Sequence, residues 1–558
     1  MMRILSLSEM RALESTADMA GHSYARMMEL AGKSVVLAVL RQMAVKGRRV
    51  LALVGPGNNG GDGLVAARML HESGASVTAY LTSARDPEQD AVFRQARASG
   101  LTIITPQDDP QYETLRKLTA QAHVLIDSLL GIGATPPLRG AIAYVLQNVK
   151  AALAQAAAEP LLSLNRAPRA THQHPLIVAV DGPSGLDFET GAIDPLALKA
   201  HITVTFAAPK WGHFRLPGAD YVGELLVADI GIPKNIAFSA AGPEVATLDK
   251  IQKWLPARPL DGHKGTFGKA LIAAGSVNYT GAAILAAAAA VRAGAGLVTL
   301  AVPNVLHSAI VPAVPEATYL LLPHTLGVVD MHAAAILSEK MTAYSALLIG
   351  PGLSHTPETT AFVRKLLGLE TGKRNAGFVP SVKKPEAEQT VALPPLVVDA
   401  DGLNILSEIP DWPRSLPPNT ILTPHPGEMA RLTGTTTAEV QSERLRLAQE
   451  SAAAWGHIVV LKGAFTIVAA PEGKLMLLPF ANPGLGSAGT GDVLAGTIVA
   501  LRAQGLDAFQ AAVVGAYLHG LAGEMVRERI GVAGLAASDV AHALPEAIKR
   551  VTLERSNV

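Results

Sequence analysis

The chain has 558 residues, 49% hydrophobic and 17% charged, a composition that can pack a core and excludes extensive disorder. Its 47 Lys and Arg balance 47 Asp and Glu, which disfavours a polyanion-binding surface and hence nucleic acid as a partner. Cys is absent, which removes disulfides, thiolate metal sites and a cysteine nucleophile.

At roughly 150 residues per domain, two or three domains are expected. The opening MMRILSLSEMRALE holds an apolar run too short for a signal-peptide core. The longest apolar stretch, Ala282 to Val291, ends at Arg292 and falls short of the ~18 residues that span a bilayer. The expectation is a cytoplasmic α/β protein without a membrane partner, and the alanines of that stretch suit a helix packed closely on a sheet.

In chain order, β-branched runs alternate with longer Ala/Leu-rich stretches, which predicts βα repetition and a mainly parallel sheet. The predicted strands of the first half are VLALV (50–54), SVTAYL (76–81), HVLID (123–127), IVAVD (177–181) and ITVTF (202–206). Those of the second half are KALIAA (269–274), LVTLAV (297–302), ALLIG (346–350), LVVD (396–399) and IVVLK (458–462). Such near-continuous apolar runs fit strands buried on both faces. No fixed-period repeat links the halves. The weaker region IPKNIAFSAAGPEVATLDK (232–250) sets a domain boundary near Ala240, giving domains 1–240 and 241–558. Ala156 to Pro175 and Glu370 to Leu393 lack an apolar period and read as loops or insertions.

Ligands of open parallel sheets bind beyond the carboxyl ends of strands. Three predicted strands end there in Asp127, Asp181 and Asp399. Any one alone is an ordinary turn or helix cap; clustering with glycine-rich loops shifts the balance. GPGNNGGDG (55–63) formally matches a dinucleotide GxGxxG, but the second strand runs into Thr82 and Ser83 where a ribose-binding acid belongs. Asp62 also puts negative charge where pyrophosphate would lie. GLGSAG (484–489) fits the same pattern by chance. DSLLGIGATPPLRG (127–140) and VDGPSGLDFETG (180–191) supply two further loops. Asn59, Asp127 and Ser184 offer only oxygen, which suits a hard cation and not zinc. Neither HExxH nor a GxSxG around Ser184 is present.

In the second half the sharpest signal is NPGLGSAGTGDVLAG (482–496). Its glycines permit close approach, amides at the following helix start can hold phosphate, and Asp492 is placed to deprotonate an attacking hydroxyl. Alone, Asp492 would be a helix cap. TPHPGE (423–428) and KGAFT (462–466) each follow a strand and face the same cleft, while GHKGTFGKA (262–270) has the wrong spacing for a Walker A.

Together these motifs resemble the bacterial bifunctional NAD(P)H-hydrate repair enzyme family over nearly the whole chain. The first half is similar in GPGNNGGDGLVAARML, DSLLGIG, VDGPSGLD and TFAAPKWGHF. The second is similar in YTGAAILAAAAAVRAGAGLVTLAVP, GPGLS, VVDADGLN, ILTPHPGEMARLTG, VVLKGAFT and NPGLGSAGTGDVLAG. The resemblance implies an N-terminal Rossmann-like three-layer αβα epimerase domain and a C-terminal ribokinase-like αβα dehydratase domain. The first would interconvert R and S epimers of NADHX and NADPHX at C6. The second would dehydrate the S epimer at the expense of ADP or ATP, with Mg2+; bacterial relatives tend to use ADP.

Carried over by motif, Asn58, Asn59, Gly60, Gly61 and Asp62 match epimerase substrate contacts, as do Gly131, Ile132, Gly133, Ala134, Thr135, Pro136, Pro137 and Asp181. Asn59, Asp127 and Ser184 match potassium ligands. Asp181 is the expected acid/base of epimerisation, and Gly182 departs from the branched residue usual in D-(I/V)-P-S-G. Ala283, Gly352, His425 and Asp492 match dehydratase substrate contacts, with Asp492 the catalytic base. Lys462, Gly463, Ala464, Phe465, Thr466 and Gly491 match nucleotide contacts. Two other readings are a ribokinase-like small-molecule kinase, and a first domain that binds or scaffolds without catalysis. The sequence leaves open ADP against ATP, NADHX against NADPHX, and whether the chain forms a homo-oligomer.

Overall fold

All ten predicted strands form and fall into two large sheets, with a third, two-stranded one beside them among the described residues. The structure is a computed structural model that describes residues 2–133, 135–156, 175–233, 236, 242–369 and 393–553. The position of the boundary near Ala240, and all but the outermost residues of the expected loops 156–175 and 370–393, lie outside the described residues. The chain divides into two compact units, Met1–Gly242 and Pro243–Val558.

The first unit is built on β1 (Arg49–Val54), β2 (Ser76–Leu81), β3 (Thr102–Ile104), β4 (Val124–Ser128), β5 (Leu176–Val180), β6 (Ile202–Phe206) and β7 (Glu224–Ala228). They pair in parallel in the order β3-β2-β1-β4-β5-β6-β7. Alternation along β1 sorts side chains to two faces. Val50, Ala52 and Val54 join Met10, Val35 and Leu64 from helices Leu7–Met19, Tyr24–Gln42 and Asn58–Glu72. Leu51 and Leu53 meet Leu115, Val145 and Leu146 from helices Glu113–Gln121 and Gly140–Ala156 on the opposite face.

The second unit holds β8 (Glu244–Val245), β9 (Lys269–Ala273), β10 (Leu297–Pro303), β11 (Thr318–Leu322), β12 (His324–Thr325), β13 (Val328–Val329), β14 (Ala346–Ile349) and β15 (Leu396–Val398). It continues with β16 (Ile421–Leu422), β17 (Ile458–Leu461), β18 (Ile467–Ala469) and β19 (Leu475–Leu477). The main sheet has ten strands in the order β11-β10-β9-β14-β15-β16-β17-β18-β19-β8, and β12 pairs with β13 apart from it. Only β18 runs against its neighbours in the main sheet. Ala270 and Ile272 of β9 pack with Ala286, Ile498, Val513 and Leu544 from four helices. Leu271 and Ala273 pack with Leu337, Phe362 and Leu403 on the other side. Each unit is therefore a helix–sheet–helix sandwich, the two-domain α/β class expected.

The short strands escape sequence reading because two or three residues make no run; β16 is Ile421–Leu422 alone. The alanine-rich helix Thr280–Arg292 touches more than strands. A Cβ on Gly496 would sit 2.1 Å from the Ala286 carbonyl oxygen, so this helix and Thr490–Ala503 meet backbone to backbone. Among the described residues no helix is long and apolar enough to cross a membrane. Gly496→Ala is expected to destabilise the second unit by about 1–3 kcal/mol through overpacking. Its denaturant midpoint checks this.

Candidate active sites

In the first unit strand order reverses between β1 and β4, which opens a crevice beyond their carboxyl ends. The GPGNNGGDG and DSLLGIG loops leave the sheet at that point. The Gly55 amide donates to the Ser128 carbonyl at 3.2 Å, and a Cβ on Gly55 would lie 1.7 Å from the Leu129 carbonyl oxygen. Only glycine fits such an approach. Arg85 steadies the same loop, donating to the carbonyls of Gly55 (2.7 Å) and Gly57 (2.8 Å) and to Asp90 (2.5 Å).

Asn59, Asp127 and Ser184 come together around Leu129–Gly131. Buried Asn59 donates from Nδ2 to the Leu130 carbonyl at 2.9 Å. Ser184 donates its hydroxyl to Asp127 Oδ1 at 2.5 Å and its amide to Oδ2 at 2.9 Å, and the Leu130 amide donates to Ser184 Oγ at 3.0 Å. Burial pushes the fully buried Asp127 up, against these hydrogen bonds. No Lys, Arg or His pairs with it among the described residues. Asn58 is exposed, Gly60 and Gly61 are buried, and Asp62 is half-buried. Gly131 and Ile132 are half-buried, Gly133, Thr135 and Pro137 exposed, and Pro136 half-buried; Ala134 lies outside the described residues.

Asp181 follows β5 with φ 63°, a left-handed conformation that L residues seldom adopt. Its Oδ1 accepts from Lys210 Nζ at 2.6 Å and from Thr205 Oγ1 at 2.8 Å, and Lys210 is only 1% exposed. Burial would raise this carboxyl, but the Lys210 charge and its hydrogen bond outweigh burial and hold it below the usual range. His213 Nε2–H donates to the Asp181 carbonyl at 2.9 Å, and its Nδ1 accepts from the Lys210 amide at 3.1 Å. Burial, then Lys210, lowers His213 to about 4, so the ring is neutral near pH 7. Gly182 has a local reason: a Cβ would strike the Phe188 ring at 2.4 Å. A branched residue has no room there.

In the second unit the reversal falls between β9 and β14. A Cβ on Gly350 (φ 127°) would lie 1.8 Å from the Asp399 carbonyl oxygen, so the ends of β14 and β15 touch. Asp399, 1% exposed, accepts at Oδ1 from Lys462 Nζ (2.8 Å) and Thr423 Oγ1 (2.7 Å). Lys462 also lies 3.5 Å from Glu428, whose Oε2 accepts from the His425 amide at 2.7 Å. Burial works to lower Lys462, and Asp399 and Glu428 reverse it to a net rise. Asp492 sits in the first turn of helix Thr490–Ala503. Burial, then the Asp399 charge, raises it to about 7, although Lys462 opposes. A Cβ on Gly491 would lie 3.4 Å from Lys462 Nζ, so this glycine borders the same cluster. Neutral His519 pins the helix start by donating from Nε2 to the Thr490 carbonyl at 2.9 Å.

The remaining predicted residues take different parts. Exposed His425 caps helix Pro426–Thr433, its Nδ1 accepting from Gly427 at 2.9 Å, which leaves Nε2 as the protonated nitrogen. Gly352 (φ 61°) lies against Ala282 and Tyr279. Ala283 is fully buried, its methyl facing Gly275, and presents no side-chain surface to the cleft. Gly463 and Ala464 are exposed, Phe465 and Thr466 half-buried, in the turn joining β17 to β18. Sequence reading gave no role to Lys210, Thr205, His213 or Glu14. Thr205, Lys210 and His213 lay within TFAAPKWGHF, the one available signal; Glu14, in an amphipathic helix, carried none.

Two family patterns match this chain: that described as YjeF-related protein N-terminus over residues 24–212, and that described as NAD(P)H-hydrate dehydratase over 270–546. The bifunctional NAD(P)H-hydrate repair enzyme Nnr of Moorella thermoacetica is 37% identical over 95% of this chain and 93% of its own. The Escherichia coli protein of the same name is 32% identical over 95% and 90%. A solved structure of ADP/ATP-dependent NAD(P)H-hydrate dehydratase from Bacillus subtilis, co-crystallised with ATP and Mg2+, is 31% identical with TM-score 0.45, covering 55% of this chain and 98% of that one.

Removing Lys210 strands a buried carboxylate. Lys210→Met is expected to cost about 3–5 kcal/mol near neutral pH. Asp181 is held low in the fold, so the stability its ionised form contributes is present above about pH 4 and lost as pH falls. Denaturant unfolding of both proteins across pH should show the gap closing in acid.

Proposed function

The chain belongs to the bifunctional NAD(P)H-hydrate repair enzyme family, and from that premise we propose how its two units divide the work. It is an enzyme with two activities. One epimerises (R)- and (S)-NAD(P)HX, and the other dehydrates the S epimer to NAD(P)H with consumption of ADP or ATP. We assign the first to residues 1–240 and the second to residues 241–558.

The observation that carries the epimerase assignment is the ionised Asp181 held at the strand end by Lys210 and Thr205. Substrate would contact Asn58–Asp62 and the segment Gly131–Pro137, and Asp181 handles protons at C6. Potassium fits Asn59, Asp127 and Ser184: one buried carboxylate without a cationic partner beside two neutral oxygen donors. When bound it would neutralise Asp127 and hold the two loops together.

For the dehydratase, Asp492 takes the proton of the C6 hydroxyl, which attacks the terminal phosphoryl group of ADP or ATP. The ring nitrogen lone pair then expels phosphate, and loss of a C5 proton restores the dihydropyridine. Gly491 and the Lys462–Thr466 turn border the nucleotide, with Gly352 and His425 toward the substrate. Four carboxylates, Asp399, Asp401, Glu428 and Asp492, influence this pocket against the single ammonium of Lys462. Among the described residues no three acidic or imidazole groups converge to hold a metal alone. Mg2+ would thus be shared between one or two of these carboxylates and the nucleotide phosphates, supplying charge neutralisation.

A mixed R/S NADHX sample with ADP or ATP, K+ and Mg2+ should be restored fully to NADH. Asp492→Asn should abolish recovery, and Asp181→Asn should limit it to the S fraction apart from slow spontaneous exchange. Asp492 must be ionised to act, so dehydration should slow as pH falls through about 7. Absence of NADH with either nucleotide would reject the reading.

A further inference from the structure

Arg444 opens helix Arg444–Trp455 and reaches the hairpin that joins β17 to β18. Its Nη1 donates to the Lys462 carbonyl at 3.2 Å and to Gln441 Oε1 at 3.3 Å. Its Nη2 donates to the Leu461 carbonyl at 3.1 Å. The guanidinium also lies against Gly463 (φ 134°), where a Cβ would stand 2.9 Å from Nη1 and 3.2 Å from Nη2. One side chain thus meets three consecutive residues, Leu461, Lys462 and Gly463, where the Lys462–Thr466 turn begins.

All of those partners are neutral. Among the described residues Arg444 meets no carboxylate, whereas Arg446 of the same helix meets Glu439, Glu443 and Glu450. Burial lowers Arg444 to about 10, so it remains a cation near pH 7. A half-buried cation without a counter-charge is unfavourable until an anion completes it. Three of the five N–H groups of its guanidinium are engaged, which leaves two to donate. Lys462 differs, because its ammonium is already balanced by Asp399 at 2.8 Å and Glu428 at 3.5 Å.

We propose that Arg444 is a positioning residue for ADP or ATP, acting through the Lys462–Thr466 turn; this rests on the dehydratase reading above. Its fork fixes the carbonyls of Leu461 and Lys462 and so sets the path of the turn before nucleotide arrives. Its unbalanced charge favours phosphates in a pocket where carboxylates otherwise outnumber Lys462. The catalytic side does not depend on it. Lys462 has its own ties, the amide to the Pro424 carbonyl at 2.9 Å and Nζ to Asp399.

Calorimetry of ADP and ATP with Mg2+ on the full chain, without NADHX, reads the proposal directly. Arg444→Met should weaken nucleotide binding about 10-fold or more. Arg444→Lys, which keeps the charge and loses the planar fork, should recover part of that loss. In dehydration of (S)-NADHX, the nucleotide KM should rise to match, while the NADHX KM and the acid limb near pH 7 stay as in wild type. Unchanged nucleotide affinity in Arg444→Met, or equal rises in both KM values, would make Arg444 a structural tie and overturn the proposal. If Arg444→Met is recovered unfolded, Arg444→Lys decides: a selective rise in nucleotide KM supports the proposal, and wild-type affinity overturns it. A wild-type protein that binds neither nucleotide would remove the dehydratase reading, and this proposal with it.

Discussion

A carboxylate at the buried end of a parallel strand stays ionised only when a cation is brought to it, and both units are organised around that requirement. In the first, Lys210 reaches Asp181 from the segment after β6. In the second, Lys462 reaches Asp399 from the end of β17. Each lysine pairs with one aspartate, and the charge of that aspartate acts on a neighbouring acid. Asp62 is raised partly by Asp181, and Asp492 partly by Asp399. Thus one buried pair biases the protonation of a second group nearby.

Glycine backbone lets the loops beside these sites approach one another closely. Gly55 lies on Leu129 in one unit and Gly350 on Asp399 in the other. In the first unit the two loops meet where sheet order reverses, the position at which open α/β sheets gather their ligands, and in the second they meet one strand further on, after β14 and β15. Glycine in these loops serves contact between loops as much as access for phosphate.

Much of this was legible in the sequence, and the remainder was hidden for definable reasons. Long β-branched runs gave ten strands, because burial on both faces demands continuous apolar residues. Two-residue β16 and three-residue β18 and β19 are set by their neighbours in the sheet and leave no pattern of their own. Asp181 and Asp492 stood out beside glycine loops, whereas Lys210 was marked only by its place in TFAAPKWGHF: its role depends on β5 and β6 being neighbours, and pairing order is a tertiary fact. Gly182 looked like an unexplained departure until Phe188, six residues on, was seen to fill the space. His425 and Ala283 also carry local roles that the motif alone did not announce, a helix cap and a packed methyl.

The reversed strand β18 has a further consequence. Every other connection that carries the second unit's chemistry is a crossover, tied to a helix layer at its far end. The Lys462–Thr466 turn is a hairpin, closed by Leu461 opposite Ile467 and tethered by the Lys462 amide to Pro424 and the Phe465 amide to Phe480. Through Phe480, which packs on Tyr517, it leans on the helix whose His519 holds the start of the Asp492 helix. At the hairpin tip Ala464 is exposed, whereas Gly463 (φ 134°) is fixed as glycine, since a Cβ there would lie 2.9 Å from Arg444. The architecture thus carries the nucleotide side of the proposed cleft on a hairpin and the catalytic side on a helix start.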